Sequence, residues 1–171
     1  MAAGNSAAMA LTNRYRTATG AGTLVAFLLV LIFGSPWYRD WVNDNTDPDS
    51  AGGWFLRILA WPAWRFDSDD SVQEVVADDI RAILVVVFAA LFLYLLVGTQ
   101  LARARGTLSQ FFAAWGAYIF AGAFAALLTT LLRSNPTLLG AFQAASAGAA
   151  YGLFTGWIVG IAALGGWRGT R

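Results

Sequence analysis

The fold class this sequence predicts is all-α: an integral membrane bundle of four transmembrane helices, both termini inside, with an extracytoplasmic acidic loop carrying a short interfacial helix. Three observations predict it. Only 12% of the 171 residues are charged, about half the roughly 25% of soluble domains. Several uncharged runs exceed the length of about 18 apolar residues that separates membrane spans from core helices. From residue 140 onward, every fourth position is small: Gly140, Ala144, Gly148, Gly152, Gly156 and Gly160. A helix sets these positions along one face as a groove nearly without side chains. In lipid, where tails are as apolar as Leu, such faces let backbones approach and gain dispersion contacts.

The chain is expected to start with a cytoplasmic tail over residues 1–16, disordered over the small and polar residues 1–12 and ending in Arg14 and Arg16. The uncharged run 17–38 is the first span. Basic residues ahead of an apolar run also suit a signal peptide, but Gly34-Ser-Pro-Trp-Tyr38 replaces the small-x-small cleavage pattern and more spans follow, so the run is read as retained.

Residues 39–79 form the loop, and all ten acids of the protein lie there. Its apolar island, residues 54–66, is too short to cross about 30 Å of hydrocarbon. A short helix in the headgroup layer, broken near Pro62 with Arg57 and Arg65 snorkelling, suits it. Trp37, Trp41, Trp54, Trp61 and Trp64 would then form one interfacial anchor belt.

Ser71-Val-Gln-Glu74 has capping-box form, which predicts a helix starting near Val72 and running into the second span, 82–102. Asp70, Glu74 and Asp78 recur at i+4 and make an acidic stripe on its projecting part. Arg57 or Arg65 folding back onto that stripe, or a partner doing so, is the expected contact. Arg103, Arg105 and Gly106 form a basic turn before the third span, 109–132, whose own small ladder is Ala113, Ala117, Ala121 and Ala125. At the next turn, Ser134 or Asn135 can cap, and Pro136 fits the first helical turn because its missing N–H has no partner there. The fourth span, 137–163, carries the glycine ladder. A short turn makes spans three and four antiparallel neighbours, so the alanine ladder is expected to face the glycine ladder. Residues 168–171 form the C-terminal tail.

Arg14, Arg16, Arg103, Arg105, Arg168 and Arg171 share one side with no acid among them. The positive-inside rule makes that side cytoplasmic, with both termini inside and the acidic loop outside. Eleven arginines, no lysine and abundant Ala and Gly suggest a GC-rich bacterial genome, hence a bacterial cytoplasmic membrane.

No ionisable residue falls mid-span, which argues against proton pumps, voltage sensors and buried carboxylate sites, all of which need charge at depth. The intramembrane polar groups of interest are Gln143, Ser146 and Thr155; the Gln143 amide needs an interhelical partner. The chain has no His and no Cys, so thiolate and imidazole chemistry are absent. Asp67, Asp69 and Asp70 are dense enough to attract a hard cation, but the neighbouring acids fail the EF-hand spacing, since Ala51 and Ile58 fall where ligands belong. No cofactor, metal or catalytic residue is expected, and no nucleic-acid patch is present. The expected partners are membrane lipid and another integral membrane protein or a second copy. The function expected is that of a non-catalytic subunit, scaffold or assembly partner of a membrane complex. The alternatives are a homo-oligomeric channel or transporter packed through the glycine ladder, and a lipid or isoprenoid enzyme using the acidic loop.

Overall fold

The structure is a computed structural model describing residues 2–64, 72–100, 107–133 and 136–168. The described residues are helical, with no strand among them. In chain order the α-helices are α1 (Ala2–Phe33), α2 (Pro36–Asn45), α3 (Ala51–Leu59), α4 (Val72–Leu93), α5 (Thr107–Leu131) and α6 (Leu138–Arg168), and a π-helical segment, Tyr94–Gln100, continues α4. The first helix begins at Ala2, so the stretch expected to be disordered is helical. Its Ala content and lack of Pro favour that state. α4 begins at Val72, as the capping box predicts, but Ser71 itself lies outside the described residues.

Three helical stretches are long and apolar enough to cross a membrane: Val75–Val97, Thr107–Leu131 and Leu138–Gly166. A fourth is obtained only by joining Thr17–Phe33 to Pro36–Asn45 across a 61° bend. The run 17–38 is thus divided between the end of α1 and the first turn of α2. The break has a local cause. Ser35 is the N-cap of α2, its hydroxyl accepting from the Tyr38 N–H at 3.2 Å, and Pro36 occupies the first turn of the new helix.

The end of α1 would leave carbonyls unsatisfied, a serious cost away from water. Val30 O takes the Gly34 N–H and Ile32 O takes the Ser35 N–H and hydroxyl, and Trp64 adds two further donors. Its backbone N–H donates to Gly34 O at 2.8 Å, and its indole Nε1–H donates to Val30 O at 3.2 Å. Gly34 must be glycine for the crossing, because a methyl there would collide with Pro62 O and Val30 O.

The interior is built from small side chains. Ala18 and Ala26 of α1, Ala82 and Ala89 of α4, Ala114, Ala117, Ala121 and Ala125 of α5, and Ala163 of α6 are all buried in one cluster around Tyr118 and Tyr151. The large apolar residues face outward instead: Leu24 and Ile32, Ile83 and Val87, Phe112 and Phe120, Phe142 and Ile161 are exposed. In water this arrangement is inverted, because burying large apolar groups is the main gain. In lipid the gain vanishes, and close backbone approach decides what goes inside.

α6 packs most extensively on α5 and next on α1; α4 lies against α5 and α1. The α5–α6 seam is the tightest. Gly122 and Gly148 meet backbone to backbone, each so placed that a methyl would strike the other's carbonyl oxygen. Further along, a methyl on Gly152 would sit 2.5 Å from Ile119 Cα, one on Gly156 2.8 Å from Trp115 Cδ1, and one on Gly160 2.9 Å from the Phe111 ring. The glycine row therefore receives Phe111, Trp115, Ile119 and Gly122 rather than the alanine row. Ala113 is partly buried against the central cluster, and Ala117, Ala121 and Ala125 belong to that cluster, on a different side of α5. Large side chains seated in glycine gaps, with one glycine pair at the closest point, fill the seam better than small against small. The indole of Trp115 also donates to Leu153 O across the seam at 2.9 Å.

Candidate functional site

The loop helices fold against the end of the molecule where α1 stops, α4 starts, α5 ends and α6 starts. Ser50 caps α3, its hydroxyl accepting from the Gly53 N–H at 3.0 Å. Tyr38, Val42 and Leu59 make a small second core between α2 and α3. The Tyr38 hydroxyl donates to Leu56 O at 3.2 Å.

Beyond α3 the chain brings Trp61 flat onto Tyr151 of α6, ring centroids 5.1 Å apart, and Trp54 edge-on to Phe154 at 4.8 Å. The loop is thus packed along α6 as far as Tyr151 and Phe154. On its other side, Trp61 carries the Arg81 guanidinium 5.0 Å above its ring, a cation–π contact that holds the charge in place.

Arg81 also pairs with Asp78 at 3.3 Å, and Asp78 pairs with Arg133 at 3.0 Å. Asp78 is only 4% exposed. The sequence placed it in a solvated stripe next to Arg57 or Arg65. The structure buries it between α4 and the end of α5, because the α4 start and the α5 end share one end of the molecule. Arg57 points to α2 instead, donating to Asn43 Oδ1 at 2.7 Å and Thr46 O at 3.1 Å. Arg65, Asp67, Asp69 and Asp70 lie outside the described residues, as does the side chain of Glu74.

Two cavities flank the Trp61–Arg81 pair. One, of about 280 Å³, is lined by Arg39, Asn43, Arg57 and Arg81 with Val42, Ala60, Trp61 and Ala63. The other, of about 230 Å³, lies between α4, α5 and α6 and is lined by Trp61, Arg81, Ala126, Thr129, Thr130, Arg133, Ala144 and Ala147. Among the described residues the lining of both cavities carries arginines, of which Arg39 pairs with Asp40 at 3.8 Å and Arg81 with Asp78. In the sequence Arg39, Arg81 and Arg133 count only as charges on the acidic side, and nothing there points to their convergence.

The remaining expected positions divide. Trp37 is 73% exposed, Trp41 and Trp54 are also exposed, and Trp61 and Trp64 are half-buried in the roles just given. Gly148, Gly152, Gly156 and Gly160 lie in the α5 seam, but Gly140 has only the Thr137 hydroxyl close by, and Ala144 borders the second cavity. Thr137 caps α6, its hydroxyl accepting from the Gly140 N–H at 3.0 Å, and Pro136 stands outside the helix. Ser134 and Asn135 lie outside the described residues. Thr155 is fully buried and donates to Tyr151 O at 2.7 Å; Ser146 is exposed and donates to Phe142 O at 3.0 Å. Gln143 is exposed and has no partner among the described residues. This overturns the expected interhelical hydrogen bond within the chain, because Gln143 sits on the face of α6 turned away from α5.

Sequence reading also missed the deepest polar contact, Tyr118 Oη to Tyr151 Oη at 2.8 Å, and the buried Gln110, whose Oε1 has no partner among the described residues. A buried tyrosine hydroxyl almost always has a partner. Replacing either with Phe is expected to cost about 1–3 kcal/mol by stranding the other hydroxyl, and the double replacement less than the sum. A double-mutant cycle on unfolding in detergent reads this directly.

The fold is all-helical among the described residues, with three helices long and apolar enough to cross a membrane, or four if the bent pair is one span, a pattern compatible with a multi-pass membrane protein. No protein-family profile, curated protein or solved structure matches the chain.

Proposed function

We propose that this protein is a small non-catalytic subunit that assembles with another integral membrane protein. It crosses a bacterial cytoplasmic membrane four times as a helical bundle, the bent α1–α2 pair counting once. Both termini are cytoplasmic, α3 lies in the outer headgroup layer, and the exposed tryptophans anchor that layer. The observation that carries the reading is the divided use of α6. Its glycine row from Gly148 to Gly160 closes on α5, whereas its outer stretch leaves Leu138, Leu139, Phe142, Gln143 and Ser146 exposed. An amide facing lipid with no partner is costly, and a second protein that accepts and donates to it removes the cost.

The same division disfavours a channel built on the glycine ladder, since the ladder is filled within the chain. The arginine lining of both cavities disfavours a carboxylate-based lipid enzyme. Purification in a mild detergent, with native mass measurement and identification of co-purifying chains, tests the proposal. The expected result is a complex with a different membrane protein that weakens at least tenfold on Gln143→Leu while the isolated subunit unfolds as before. A complex of identical copies alone moves the reading to the homo-oligomer, and a solitary monomer overturns both.

A further inference from the structure

We draw no further inference here: the strongest candidate, the cavity of about 230 Å³ between α4, α5 and α6 lined by Thr129, Thr130, Arg81 and Arg133, belongs to the site already described, where both arginines pair with Asp78 and both threonine hydroxyls donate to carbonyls of their own helix.

Discussion

Gly122→Ala and Gly148→Ala each destabilise the protein by about 1–3 kcal/mol, the cost of overpacking a filled contact, whereas Gly116→Ala on the same helix as Gly122 is neutral or stabilising. The contrast isolates the seam from helix propensity. Ala is the better helix former by about 1 kcal/mol per residue, so a glycine with free space should gain on replacement, and nothing lies within 4 Å of a methyl on Gly116. At Gly122 and Gly148 the methyl meets the facing backbone carbonyl, which has no rotamer to move into. The helices must part, and the other close approaches of α5 to Gly152 and Gly156 loosen with them. Gly148→Val is expected to go further and prevent recovery of folded protein from detergent. Denaturant titration followed by tryptophan fluorescence reads the series, with Trp115 reporting from within the seam. Equal effects at Gly116 and Gly122 would show that the close approach does not govern stability.

The sequence exposed the solvent of this protein more readily than the rotations of its helices. Run length and charge content reveal apolar helices because both follow from the energy of placing charge in hydrocarbon. The small row of α6 was equally visible. Its mate was not, because α5 offers two faces that suit a small row: Ala113, Ala117, Ala121 and Ala125, and the mixed row containing Phe111, Trp115 and Gly122. Which face turns to α6 depends on how all the helices fill space together, and that is not written in one helix. The break in α1 was legible and went unread. Ser35-Pro36 is an N-cap followed by an N1 proline, but an uncharged run draws the eye past it. Parity of the spans did place Asp78 and Arg133 on one side. Their direct contact, over a separation of 55 residues, needed the rotation of α4 as well.

Asp78→Ala is expected to be the most damaging single charge change outside the glycine seam, costing about 3–5 kcal/mol, because it leaves cations without their counter-ion in a poorly hydrated site. The asymmetry of the trio makes this specific. Asp78 is nearly enclosed and bridges Arg81 on its own helix to Arg133 at the end of α5, while the Arg133 side chain remains 43% exposed. Arg133→Gln therefore costs less, about 1 kcal/mol, since Asp78 keeps Arg81 and an exposed pair contributes little. In the double variant Asp78→Ala with Arg133→Gln, the loss should be smaller than the sum, as one stranded cation has been removed with its anion. Arg81 stays behind in that variant, over the Trp61 ring and beside the arginine-lined cavity. Thermal unfolding of the two single variants and the double variant measures that difference, and strictly additive losses would show that Asp78 and Arg133 do not share their charge.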